Sequence, residues 1–199
     1  PRLDAVALQQ ALAQAGVTPE RISEARGQAR QEALATIRGA SDPFRQRVAI
    51  FQLWNSRQVD DEAVDAILAL LAANPTDEGL IAQALYAMKD SPRADVSAFT
   101  QSYLRDSPSA HVRLRAAKAL HFRPGADVTR TMAGCLQSER DEAVQTRLLA
   151  ALGTRALTDS TAKDTLDQAA RYGATEAIRA RAAQALEEAR GVLDTLAGK

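Results

Sequence analysis

Cysteine, aromatic residues and a net charge are what this chain has least of. Cys135 is the single cysteine in 199 residues, so an intrachain disulfide and a thiolate zinc site are both excluded. Aromatic residues make up 4% against 46% hydrophobic residues, a balance that suits alanine-rich helices better than a β-sandwich. The 25 basic side chains meet 25 acidic ones, and a formal net charge of +0 argues against a general binder of phosphate backbones, which needs a basic stripe. No run of 18 apolar residues is present, so membrane insertion is not expected, and no charged-then-apolar leader opens the sequence. His111 and His121 are the only histidines, ten positions apart and far from the spacing at which two imidazoles on one helix share a metal. They read as surface or turn residues. The glycines at 125, 134, 153 and 173 stand alone and form no phosphate loop. No catalytic constellation, cofactor or metal site is expected, and the chain reads as non-enzymatic.

What is there in abundance is one helical pattern. Val112, Ala116, Ala119 and Leu120 fall at 0, +4, +7 and +8, one face of an α-helix. The same frame returns at Leu80-Ala84-Ala87-Met88, Val144-Leu148-Ala151-Leu152 and Ile178-Ala182-Ala185-Leu186. A weaker copy begins at Arg45 with Ala49, Gln52 and Leu53, its register uncertain by one residue. The four strong starts are 32, 32 and 34 residues apart, a period that marks stacked helical hairpins. Between them run second helices framed on Val64-Leu68-Leu71, Val96-Thr100-Tyr103-Leu104, Val128-Met132-Cys135-Leu136 and Ala162-Leu166-Ala169-Ala170. Every second helix is followed 16 residues later by the next first helix, whereas the step within a repeat varies as 19, 16, 16 and 18. Length variation is thus confined to one edge.

The run Ser109-Ala110-His111-Val112-Arg113-Leu114-Arg115-Ala116-Ala117-Lys118-Ala119-Leu120, followed by Gly125 to Leu136, resembles the HEAT repeats of phycobilisome-lyase-like bacterial proteins. Ile178-Arg179 with Ala182, Ala183, Ala185 and Leu186 is similar. Two copies depart: Gln145 and Ile81 occupy the arginine position, and Leu148-Leu149 replaces the alanine pair. The resemblance covers roughly residues 43 to 190 and implies an all-α solenoid of about five HEAT-like hairpins. Tetratricopeptide repeats share the length, but their Trp/Gly/Tyr/Pro spacing is missing.

Upstream, Leu3 to Ala15 reads as a short amphipathic helix ended by Gly16, and Thr18-Pro19 starts a second one of about Glu20 to Arg38. Residues 1–42 are either an N-terminal cap or degenerate repeat, or a mobile arm; residues 43–199 form the array, in a single domain overall. Asp42-Pro43, Asn74-Pro75, Ser91-Pro92, Ser107-Pro108 and Pro124-Gly125 break the chain at turns. Four acids, Asp60-Asp61-Glu62-Asp65, open a helix, where its dipole favours them; the alternative is an acidic patch for a basic partner or a cation.

Two surfaces are candidates for contact with another protein or peptide. The variable edge carries Trp54, Arg57, Phe122, Arg123 and Arg155, with Trp54 either an interface anchor or a plug beneath the first hairpin. The outer side of the second helices carries Gln101, Arg105, Arg130, Gln137, Asp167 and Arg171, small and of mixed sign, either a smooth groove or an ordinary solvated face. The expected function is a scaffold or adaptor, possibly as an accessory domain of a larger protein. The resemblance also implies two rivals: a lyase or chaperone-like protein acting on a partner, and a DNA-binding HEAT protein of the alkylation-repair glycosylase kind. The latter needs a basic, aromatic-lined groove that this composition does not favour. No nucleic-acid partner is expected.

Overall fold

The computed structural model describes residues 13–196 and 198, and among these residues the chain is all-helical, with no strand. Most of the expected helix from Leu3 to Ala15 lies outside the described residues. The chain divides into two compact units, Pro1–Ala73 and Asn74–Lys199.

The first unit holds α1 (Pro19–Gly39), α2 (Pro43–Asn55) and α3 (Asp61–Ala73). Both α1 and α2 start as the sequence dictates, on a capping oxygen followed by proline. The Thr18 hydroxyl accepts from Arg21 N at 3.3 Å, and the Asp42 carboxylate accepts from Phe44 N at 2.9 Å. α1 packs on both α2 and α3. Leu34 and Ile37 of α1 are buried with Ile50 and Leu53 of α2 and Val64, Ile67 and Leu71 of α3. In α3 Val64 and Leu71 of the expected frame are buried, while at the middle position Ile67 is inside and Leu68 is half-exposed. In α2 the buried residues are Gln46, Ala49, Ile50 and Leu53, so of the weak copy's frame Ala49 and Leu53 are inside while Arg45 and Gln52 are exposed.

The acidic run at the start of α3 is largely explained within this unit. Arg30 Nη2 donates to both Asp60 oxygens at 2.9 and 2.7 Å and to Glu62 at 2.7 Å, while Arg38 reaches Glu62 at 2.8 Å. Asp60 also accepts from Ala63 N at 3.0 Å, the cap expected of an acid at a helix start. These arginines hold both carboxyls below the usual range, through Arg30 at Asp60 and through Arg30 and then Arg38 at Glu62.

The second unit holds α4 (Glu78–Ala87), α5 (Ala94–Asp106), α6 (Ala110–Leu120), α7 (Ala126–Ser138), α8 (Glu142–Arg155), α9 (Ser160–Tyr172) and α10 (Glu176–Leu196). α4 packs on α6, α6 on α8 and α8 on α10; beside them α5 packs on α7 and α7 on α9. The rows are joined by the pairs α5–α6, α7–α8 and α9–α10. Each of these pairs is connected by a three-residue turn (107–109, 139–141, 173–175), which explains the constant 16-residue step. The other connections span residues 88–93, 121–125 and 156–159, and the length variation expected of them lies in the helices instead: the 18-residue step has the shortest connection and comes from α8, with 14 residues against 10 in α4 and 11 in α6.

The repeating apolar frame is the interior of this unit. Val144, Leu148, Ala151 and Leu152 are all 0% exposed, and the equivalent residues of α4, α6 and α10 are buried with them. Small side chains set the approach of neighbouring helices. A Cβ placed on Gly153 of α8 would lie 3.1 Å from the Ala185 Cβ of α10, closer than ordinary van der Waals contact.

Candidate binding clefts

Directly after the first buried residues Leu80, Val112, Val144 and Ile178 stand Ile81, Arg113, Gln145 and Arg179, and in α2 Gln46, itself the first buried residue, holds the corresponding place. Four of these side chains donate to a carbonyl six residues back. Gln46 Nε2 reaches Ala40 O at 2.6 Å, Arg113 Nη1 reaches Ser107 O at 2.9 Å, Gln145 Nε2 reaches Glu139 O at 2.7 Å, and Arg179 Nη1 reaches Gly173 O at 2.7 Å. Each acceptor is the residue that ends the preceding helix. Carbonyls at a helix C-terminus lack intrahelical partners and carry partial negative charge, so a long polar donor is favoured there. Gln145 does what the arginines do. Ile81, in the same place on α4, offers no donor, and the division into two units falls just ahead of it, between Ala73 and Asn74.

Arg113 does more than close a turn. Its Nε and Nη2 form a two-pronged pair with Glu139 at 2.7 and 2.8 Å, and Nη1 also reaches Pro108 O at 3.0 Å. The Glu139 side chain is 4% exposed and also accepts from the backbone N–H of Arg140 and Asp141, both at 2.9 Å. Arg113 holds the Glu139 carboxyl below its usual range despite burial.

This pair occupies the place that stays open one repeat to either side. On one side a cleft of about 400 Å³ is lined by Ile81, Tyr103, Asp106, Pro108 and Val112. On the other, a cleft of about 400 Å³ is lined by Leu136, Gln137, Gln145, Gln168, Tyr172 and Ile178. The linings correspond: Ile81 to Gln145, Tyr103 to Ala169, Asp106 to Tyr172, and Val112 to Ile178. Isoleucine and glutamine are shorter than arginine and leave the space unfilled. The second cleft combines aliphatic walls, an 80% exposed Tyr172 ring and three glutamine amides that both donate and accept. The chemistry of this lining suits peptide groups and apolar side chains. It offers no proton-transfer pair, and among the described residues no three His, Cys, Asp or Glu side chains gather in a way that would hold a metal.

Comparison of the chain with protein-family models, with curated proteins and with solved structures returns no match.

The residues singled out in the sequence separate into three groups. Gln137 lines the second cleft; Arg171 and the half-buried Asp167 lie on the adjoining outer face of α9, and Arg105 and Arg130 are exposed. Phe122 is 84% exposed at the variable edge, its ring 4.1 Å from that of His121. Trp54 and Arg57 belong to the first unit; Trp54 is half-buried with its ring 5.6 Å from Phe51, and Arg57 is exposed with φ 57° in the turn after α2.

Three others are turned inward. Arg123 is 8% exposed and donates to Met88 O at 3.1 Å and Arg93 O at 3.4 Å, carbonyls at the end of α4 and in the turn that follows. Arg155 repeats this one step later, donating to Leu120 O at 2.8 Å, His121 O at 3.2 Å and Arg123 O. Both guanidiniums act as struts between successive turns, and burial lowers the pKa of each. Gln101 is buried between α5 and α7, donating to Asp127 at 2.9 Å and accepting from the Thr131 hydroxyl at 2.6 Å. His121 lies at the expected turn but is buried, not on the surface, and desolvation followed by Arg147 and Arg155 pushes its pKa down to about 4.

Tyr172 and Gln168 of the second cleft and Asp106 of the first are cleft residues that the sequence did not single out, and Gln145 was noted only as a departure from the repeat. Tyr172 lies two residues beyond the apolar frame of its helix, an aromatic just past the last alanine, which was the available signal.

Proposed function

We propose that the protein is a non-enzymatic interaction scaffold, a solenoid of HEAT-like hairpins whose second unit grips an extended segment of a partner protein. The observation that carries this reading is the pair of equivalent clefts separated by two repeats and bridged by the Arg113–Glu139 pair. Neighbouring packed helices lie about 8–10 Å apart, so two steps span roughly 16–20 Å. An extended chain covers that distance in about five or six residues. A segment with two apolar side chains at that separation would place one in each cleft, and the second contact would form at high effective concentration. Stacked helices hold both clefts in place before contact, which limits the entropy lost on binding.

The test is affinity capture with Tyr172→Ala/Gln168→Ala and Tyr103→Ala variants beside the wild type, with helix content checked by circular dichroism. Each variant is expected to lose the same bound protein. An unchanged set of captured proteins on intact folds would remove the clefts from the function. A second arm with Phe122→Ala asks whether the variable edge contributes.

A further inference from the structure

The two clefts of the second unit are equal in size but not in charge. The one beside Gln145 is walled by glutamine amides and aliphatic groups, and its one carboxylate, Glu139, is already held by Arg113. The one beside Ile81 is different. Two carboxylates, Glu78 and Asp106, line it together with Tyr103, Ile81 and Val112, and among the described residues that line it there is no lysine or arginine. Asp106 is exposed at the end of α5 and forms no ion pair among the described residues. Glu78 accepts from the uncharged Ser109 hydroxyl at 2.6 Å. Arg113 reaches the carbonyls of Ser107 and Pro108, two residues that also line this cleft, but its charge is matched by Glu139. The exposed Arg105 next to Asp106 is not part of the lining.

We infer that the cleft beside Ile81 takes a lysine or arginine side chain of the gripped segment, and so fixes the direction in which that segment lies. This rests on the cleft reading above and adds the identity of one anchor. A long basic side chain has the two halves that this lining matches: a methylene stem for Ile81, Val112 and Tyr103, and a cationic head for Asp106 and Glu78. The tyrosine ring also favours a cation near its face. A wholly apolar side chain seated here would strip water from two carboxylates and give them nothing in return, and an acidic one would be repelled. The cleft beside Gln145 makes no such demand. Its amides satisfy peptide groups in either direction, and its apolar walls take an uncharged side chain. A segment with a base at one anchor and an aliphatic residue at the other therefore fits one way round. Reversed, it would set the cation where the only lining carboxylate is already paired, and the aliphatic group against two acids.

The experiment measures fluorescence anisotropy of labelled synthetic peptides added to the full chain. Each peptide carries a leucine at one anchor and, about six residues away, lysine, norleucine or glutamate at the other, on serine and alanine spacers. The lysine peptide is expected to bind about tenfold more tightly than the norleucine peptide, with the glutamate peptide weakest and the preference shrinking as salt is added. Glu78→Gln/Asp106→Asn, two near-isosteric changes at exposed positions, should bring the lysine peptide to the level of the norleucine one, with helix content unchanged in circular dichroism. Equal binding of the lysine and norleucine peptides, both weakened by Tyr172→Ala, overturns this inference and leaves the clefts standing. No binding by any peptide, or binding that Tyr172→Ala does not alter, overturns both. A lysine preference that survives in the double variant places the charge recognition elsewhere and overturns the assignment to this cleft. So does a dimer in sedimentation that Asp106→Arg dissociates, for the cleft would then hold a second copy of the chain.

Discussion

Replacing Arg113 by alanine tests the reasoning about the inter-repeat junction most directly, because one side chain makes four of its contacts. The variant removes a two-pronged pair to a carboxylate that is 4% exposed and the charged donor to Ser107 O and Pro108 O. Breaking a fully buried pair costs about 3–5 kcal/mol, because the remaining charge has lost its partner. Two features lower that figure here. The Arg113 side chain is 19% exposed, and Glu139 keeps two backbone N–H donors, from Arg140 and Asp141. The expected loss is about 2–3 kcal/mol, a large share of the roughly 5–15 kcal/mol that a domain of this size commands. Urea unfolding followed by circular dichroism at pH 7 measures it as a lower midpoint with an unchanged slope.

The same pair dictates a pH signature. Glu139 has a folded pKa below its ordinary value of 4.5, chiefly because Arg113 donates to it. Its contribution is present above the unfolded pKa and is lost as pH falls through the folded one. Wild type and Arg113→Ala should therefore converge in stability as pH falls below about 4. Arg113→Gln should cost less than Arg113→Ala, since Gln145 shows that a glutamine amide reaches the same carbonyl. A loss under about 0.5 kcal/mol at pH 7, the range of an ordinary surface change, would refute the account, as would a difference that persists unchanged at low pH.

Other perturbations probe other parts of the structure. His121 is held neutral by burial and by Arg147 and Arg155, with its pKa lowered from 6.5 to about 4. The unfolded chain then binds a proton that the folded one does not, so stability should fall as pH drops from about 6.5 to 4, by roughly 2–4 kcal/mol in all. His121→Asn should flatten that slope in urea titrations across the window. At Gly153, where an added Cβ already lies 3.1 Å from Ala185, valine should cost about 1–3 kcal/mol by forcing α8 from α10. Gly134 on α7 has nothing within 4 Å of an added Cβ, so Gly134→Ala should stabilise by about 0.5–1 kcal/mol. Thermal melting of the two glycine variants reads both signs.

What was legible in the sequence was whatever depends on neighbours within one helix. Apolar periodicity located the buried faces of α4, α6, α8 and α10, and the pairs Thr18-Pro19 and Asp42-Pro43 located two helix starts, because period and capping are local chemistry. One position of the α3 frame departs for the same reason: Ile67 and Leu68 are both apolar, and the packing of α1 against α3 takes Ile67 inside. Contacts spanning a repeat were not legible. Arginine in a turn reads as an exposed contact residue, yet the ends of earlier helices bring carbonyls to Arg123 and Arg155 from about a repeat away and draw both inward. The arginine after the first buried position reads as a repeat signature, and its replacement by Gln145 and Ile81 reads as two equal departures. In the structure they are unequal. Glutamine keeps the carbonyl bond and isoleucine forgoes it, while both leave open the volume that Arg113 and Glu139 fill. One position thus sets both how a turn is closed and whether a cleft stands beside it, so departures from the repeat pattern locate candidate binding clefts better than its matches do.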